Sequence, residues 1–144
     1  RSYYGEKLVI RCMQHGLNTC WVGGTYKKVK EVIDVGHDEK IVAVIALGYG
    51  QTMGAIRKSK KPEDVFDGKS SRISRYEDTP EWFKKGVEMA LLAPTAMNRQ
   101  NFTFAISGDR VKIKSGFGKF TKLDVGIVKY HFEIGASPKE FVWA

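Results

Sequence analysis

The chain has 144 residues, with 42% apolar and 28% charged residues, a formal charge of +8 and a pI near 9.5. That length suits one compact domain or two small halves packed together, and the composition is that of an ordinary globular protein. No apolar run approaches the roughly 18 residues of a membrane span, so no membrane insertion is expected, and the positive charge points to an anionic partner: nucleic acid, an anionic surface or a phosphorylated cofactor.

The first residue is Arg1, and no signal-peptide pattern follows it, so the numbered chain is expected to be a segment of a longer cytoplasmic protein. Apolar positions Leu8, Val9, Cys12 and Met13 predict a helix from Tyr3 to His15, with Gly16 as its stop. Cys12 and Cys20 are the only cysteines; they are too few for a disulfide scaffold and are expected to be buried free thiols of a reducing cytosol. With only three histidines besides, no metal site is expected.

Thr19, Cys20, Trp21 and Val22 form a short strand pattern that ends in Gly23 and Gly24. Paired glycines either make a simple turn or let the backbone come close to a flat ligand, since no Cβ intervenes. A helix is expected from Tyr26 to Val35. Ile41 to Leu47 is almost unbroken apolar and β-branched, the pattern of a central strand covered on both faces. Beyond it the run Arg57, Lys58, Ser59, Lys60, Lys61, Pro62 is either a solvated basic loop or a clamp for phosphate.

Lys69 to Asp78 is polar and poor in apolar residues, which marks a junction. Thr79 is the expected cap and Pro80 the first residue of a helix carrying Trp82, Phe83, Val87, Ala90 and Leu91. Pro94 ends that helix, and the loop through Thr95, Ala96, Met97, Asn98, Arg99 and Gln100 leads into a strand at Phe102. A loop of small and polar residues held between rigid elements suits ligand contact. Phe102 to Ile106 and Val111 to Lys114 read as a hairpin joined by Ser107, Gly108, Asp109 and Arg110, and a last helix begins at Asp124. His15 and His131 fall in helical patterns and His37 in a polar loop; no Ser or Cys nucleophile motif accompanies them.

Taken together, these stretches resemble the FMN-dependent nitroreductases. Arg72, Ser74 and Arg75, then Thr79-Pro80, then Ala93 to Gln100 are similar to the start of that family, where an Arg/Ser/Arg motif leads into a helix and an Ala-Pro-Ser-x-x-Asn-x-Gln-Pro-Trp loop. Thr95 stands for the Ser, and Asn101-Phe102 for Pro-Trp. Gly16 to Gly24, Ile41 to Gly50 and Arg57 to Lys60 resemble the family's later half, so the order is reversed. Tyr4 to Leu8 with Gly16 faintly echoes Asp124 to Ile127 with Gly135.

The chain thus resembles the subfamily in which one chain carries two nitroreductase-like halves. The resemblance implies an α+β fold, an antiparallel or mixed central sheet flanked by helices, in a pseudo-dimeric arrangement. Residues 1–68 would be the later part of a first half and 69–144 a second half. It implies FMN held by Trp21, Val22, Gly23 and Gly24 along its N5 edge, by Arg57, Lys58 and Lys60 at its phosphate, and by Pro94, Thr95, Ala96 and Asn98. NADH or NADPH would be the donor and a nitroaromatic, quinone or similar flat molecule the acceptor, with no catalytic side chain needed. Arg72, Ser74 and Arg75 are expected to be structural here, and the chain a monomer or a homodimer. The alternatives are a flavin-less relative acting as a binding or interaction protein, and a basic nucleic-acid-binding module.

Overall fold

The computed structural model describes residues 2–27, 31–52 and 54–144. Two compact units emerge, one of residues 7–54 and one of residues 1–6 with 55–144.

In the smaller unit, helix α1 (Ser2–Gln14, whose first turn belongs to the larger unit) ends in a Schellman arrangement. Gly16 takes φ +75°, its amide donates to Met13 O at 2.9 Å, and the Leu17 amide donates to Cys12 O at 3.0 Å. Strand β1 (Asn18–Val22) pairs antiparallel with β2 (Val44–Gly48), from Asn18 opposite Gly48 to Val22 opposite Val44. The Asn18 side chain closes the far end, accepting from the Gly50 amide at 2.9 Å and donating to Thr52 O at 3.2 Å.

Three expectations change here. β2 is one of two strands in its sheet rather than a central strand; Ile41 to Ala43 lie outside it, and Ala46 and Leu47 are exposed. An apolar run records that a strand is apolar, not how many layers cover it. Cys12 is buried, but Cys20 is exposed. The helix expected from Tyr26 to Val35 has residues 28–30 outside the described residues, and of its remainder Glu31 and Val32 form a turn and no residue is helical.

The larger unit is built on a helix pair and a mixed sheet. Helix α2 (Glu81–Leu91) buries Phe83, Val87, Ala90 and Leu91, spaced at i, i+4, i+7 and i+8. Its start differs from expectation by one position: Pro80 is the cap residue, and the Thr79 hydroxyl donates back to Tyr76 O at 2.7 Å. Strands β3 (Phe102–Ser107) and β4 (Arg110–Ser115) form the expected hairpin, with Gly108 at φ +60° in its two-residue turn. Helix α3 (Thr121–Ala136) follows, and β5 (Val142–Trp143) adds parallel to β4, giving the order β3-β4-β5.

α3 buries Asp124, Ile127, Val128, His131, Phe132 and Ala136 along one stripe and packs on α2. Two glycines allow the close approach. A Cβ on Gly86 would lie 2.7 Å from the Phe132 ring, and one on Gly135 would meet the Lys85 carbonyl. Phe83, Phe104 and Phe132, all fully buried, form a triangle with ring centroids 4.9 to 6.4 Å apart. His131 is buried within this unit, its Nε2 2.8 Å from the Glu6 carboxylate, so it is a packed histidine. The result is a mixed α+β chain with three helices and two small sheets among the described residues.

Candidate functional site

The connection from α2 to β3 is tightly determined. Leu92 still has helical angles, and the Ala93 amide reaches Ala90 O at 3.2 Å. Pro94 has no amide hydrogen to continue the ladder, and Thr95 turns extended, with φ −124° and ψ 153°. One tight turn, Ala96–Asn98, follows, and three non-glycine residues sit in the left-handed region: Met97 at φ 55°, Asn98 at 51° and Gln100 at 47°. Such angles are uncommon outside glycine and persist only where neighbouring contacts over-determine them.

Those contacts are on either side of the loop. From α3, the Asp124 carboxylate accepts the Ala96 amide at 3.0 Å. Burial pushes the Asp124 carboxyl up from its ordinary range, and the Ala96 hydrogen bond partly offsets that. Inside the loop the Gln100 amide donates to the Thr95 hydroxyl at 3.1 Å. The buried Gln100 carboxamide donates to Leu91 O at 2.8 Å and to the Ser59 hydroxyl at 3.1 Å, and accepts the Lys60 amide at 2.7 Å.

The basic segment is therefore held against the loop. Asn98 Nδ2 donates to Lys58 O at 2.7 Å, and the Lys60 ammonium donates to Gln100 O at 2.9 Å. Residues 57–60 are exposed and in neither helix nor strand. Among the described residues no ion pair forms at Arg57 or Lys58. The nearby Asp64 carboxylate is turned onto the Lys61 amide at 3.0 Å.

Of the residues singled out from sequence, the structure thus brings Lys58, Lys60, Thr95, Ala96 and Asn98 into one hydrogen-bonded assembly, with Arg57 and Pro94 on the same two stretches. Trp21, Val22, Gly23 and Gly24 belong to the smaller unit, where they finish β1 and turn away from it; Gly24 is exposed, and an added Cβ would meet nothing within 4 Å. Arg75 lies apart from the loop assembly, its guanidinium forked on Asp78 at 2.9 and 3.0 Å, while the Arg72 amide donates to Ile106 O at 3.1 Å.

Gln100 and Asp124 were visible in the sequence only as a member of the loop motif and as the start of the last helix; their bonding roles in the assembly were not. A polar residue that becomes buried does so through partners far along the chain, which no local pattern displays. The acidic residue in the first turn of α3 was the one visible sign, since a carboxylate there commonly accepts free backbone amides.

The donor set fits a phosphorylated, flat cofactor such as FMN. It offers three cations without acidic partners among the described residues (Arg57, Lys58 and Lys60), a carboxamide, a hydroxyl and loop backbone, and its Asp124 carboxylate is already engaged by an amide.

Comparison with known proteins agrees in part with these expectations. Among curated proteins, none matches the chain. The crystal structure of a putative nitroreductase from Thermotoga maritima MSB8 is similar to it, with 26% sequence identity and a TM-score of 0.67 over 91% of this chain. This chain spans about half of that protein, 51% of its length. A family model described as "Putative TM nitroreductase" matches residues 2–136. The chain belongs to that nitroreductase family.

Proposed function

We propose that this chain forms part of an FMN-dependent oxidoreductase that draws on NADH or NADPH and reduces nitroaromatics, quinones or similar flat acceptors. Family membership supports an oxidoreductase role. The observation that carries the flavin is the joining of the Pro94–Gln100 loop to the cationic segment, through Asn98 on Lys58 and Gln100 on Ser59 and Lys60.

When bound, FMN supplies the redox chemistry itself, accepting hydride from the nicotinamide and passing electrons to the acceptor. The chain's residues bind and orient. Arg57, Lys58 and Lys60 offer their charges to the phosphate, with Arg57 able to fork on two oxygens. Pro94, Thr95, Ala96 and Asn98 supply a rigid loop edge, its strained backbone fixed before any ligand arrives. For Trp21, Val22, Gly23 and Gly24 the proposal rests on the resemblance and on the open backbone at Gly24; there a backbone N–H would donate to a ring nitrogen as its charge changes. No side-chain acid or base is required.

The two-halves organisation, 1–68 and 69–144, belongs to the same proposal, supported by the echo of Tyr4–Leu8 in Asp124–Ile127, both on helices. A monomeric pseudo-dimer and a homodimer are its two assembly forms.

The test is the visible absorbance of the purified chain before and after addition of FMN and desalting, followed by nitroaromatic reduction with NADH and NADPH. Flavin bands that survive desalting and nicotinamide-dependent turnover are expected. A protein that stays colourless overturns the proposal in favour of a flavin-less interaction protein.

A further inference from the structure

Gln100 makes more hydrogen bonds than any other residue of the loop, and flavin binding as set out above uses it to join loop and cationic segment but gives it no contact with the cofactor. It is 2% exposed and holds φ +47°. Both carboxamide ends are used: Nε2 on Leu91 O at 2.8 Å and Ser59 Oγ at 3.1 Å, Oε1 on the Lys60 amide at 2.7 Å. Its own amide meets Thr95 Oγ1 at 3.1 Å, and its own carbonyl takes the Lys60 ammonium at 2.9 Å. Three of these five bonds end on Ser59 or Lys60.

The segment they reach is exposed and has no strand or helix to fix its register. Asn98 adds one bond, to Lys58 O. The Lys60 ammonium already has a carbonyl partner, whereas Arg57 and Lys58 have no ion pair among the described residues. The segment thus divides into a braced end, Ser59-Lys60, and a charged end, Arg57-Lys58.

We propose that Gln100 is a positioning residue: by bracing Ser59 and Lys60 it holds Arg57 and Lys58 in the register that a phosphate monoester needs. This deepens the flavin proposal and rests on it. An anion site made of flexible cations must order them on binding, and a preformed brace removes that cost. The brace therefore acts on the phosphate's share of affinity and leaves the ring's share unchanged.

FMN and riboflavin differ only by that phosphate, so the ratio of their dissociation constants isolates it. The ratio is measured by flavin fluorescence quenching for the 144-residue chain, for Gln100→Met and for Ser59→Ala, with hydrogen exchange at the Lys60 amide alongside. Wild type is expected to prefer FMN. Gln100→Met is expected to reduce that preference about tenfold, the scale of a single charge-assisted hydrogen bond, to move riboflavin affinity less than about twofold, and to speed exchange at Lys60. Ser59→Ala removes the Gln100 Nε2 bond, together with the Ser59 hydroxyl's own donation to Lys60 O at 3.1 Å, and leaves the buried carboxamide packed, so it shifts the ratio the same way by less; it decides the matter if Gln100→Met does not fold. FMN and riboflavin weakening together in the variants would show a merely structural role and overturn the inference alone. An unchanged FMN preference in both variants also overturns it alone. Equal affinity of wild type for the two flavins removes the phosphate site. Failure of wild type to bind either flavin overturns the flavin proposal and this inference together.

Discussion

The Asp124 carboxylate, in the first turn of α3, accepts the backbone amide of Ala96 at 3.0 Å. The two residues are 28 positions apart, and the bond fixes the start of the tight turn that carries Met97 and Asn98 at positive φ. One helix thereby sets the conformation of the loop proposed to touch the cofactor. Asp124 is 7% exposed, so its charge is poorly solvated.

Replacing Asp124 separates the bond from the charge. Asp124→Ala leaves the Ala96 amide without its partner and should cost about 1–3 kcal/mol in urea denaturation. Asp124→Asn keeps an acceptor oxygen and removes the desolvated charge, so it should stay within about 1 kcal/mol of wild type or exceed it. The pH dependence has a definite sign. Burial raises the carboxyl's pKa in the folded chain, so the proton is held more tightly folded than unfolded. The associated stability is full below the ordinary carboxyl range and is lost as pH rises through the raised value. Any advantage of Asp124→Asn over wild type should therefore shrink as pH is lowered from 7 through that range. An advantage constant with pH would contradict the raised pKa.

Asn98 is held at φ 51° and donates to Lys58 O at 2.7 Å. Asn98→Ala should weaken FMN affinity about tenfold while lowering stability by only about 1 kcal/mol, chiefly through the left-handed backbone. Asn98→Gly removes the same carboxamide without the backbone penalty. It should reproduce the affinity loss at near-native stability. Wild-type FMN affinity in the glycine variant would remove Asn98 from the site.

Much of the larger unit is legible from residue spacing. Phe83, Val87 and Ala90 keep helical period, Val111 and Ile113 keep strand period, and Gly108 marks the turn between β3 and β4. Less is legible where the period does not carry the answer. Ile41 to Leu47 is apolar enough for a central strand, yet β2 has one partner and exposed positions. Thr79 has the chemistry of a cap but bonds to Tyr76 instead, one residue too early. In the site, the residue types of the Pro94 loop and of Arg57–Lys60 were visible, and their meeting was implied by the family resemblance rather than by any spacing in the chain. Asn98 and Lys58 are 40 positions apart, and Gln100 is buried only because Ser59, Lys60 and Leu91 satisfy it. A buried polar residue is determined by its partners, and sequence displays partners only when they are near.

The α2–α3 packing gives a prediction about stability alone. Alanine normally favours a helix over glycine by about 1 kcal/mol. At Gly135 the added Cβ would run into the Lys85 carbonyl and lie 2.7 Å from Met89 Cβ. Backbone cannot swing aside, so the helices must separate, and Gly135→Ala should cost about 2–3 kcal/mol net. At Gly86 the obstacle is the Phe132 ring at 2.7 Å, itself locked against Phe83 and Phe104. Gly86→Ala should cost less, because a ring can tilt where a carbonyl cannot. Thermal or urea unfolding of the two variants checks the order, and a stabilising Gly135→Ala would show the helices to be further apart than described.

The last prediction concerns Asp67, whose carboxylate meets the Lys114 ammonium at 2.8 Å. Asp67 opens the stretch that docks on β3, its own amide donating to Phe104 O at 2.7 Å and the Arg72 amide to Ile106 O at 3.1 Å. The Lys114 hydrogen bond, followed by those from Ser70, brings the Asp67 pKa down to about 2. A carboxyl depressed on folding contributes stability above its ordinary pKa and loses it as pH falls through the folded value, here between the ordinary 3.8 and about 2. Lys114→Met removes the leading cause while keeping the aliphatic stem over the strand. The Asp67 titration, followed by its carboxyl carbon shift, should then move up toward about 3.9. The extra acid stability of wild type over the variant should fade within the same window. If the midpoint stays near 2 in Lys114→Met, the Ser70 hydrogen bonds are sufficient and the ammonium is a bystander.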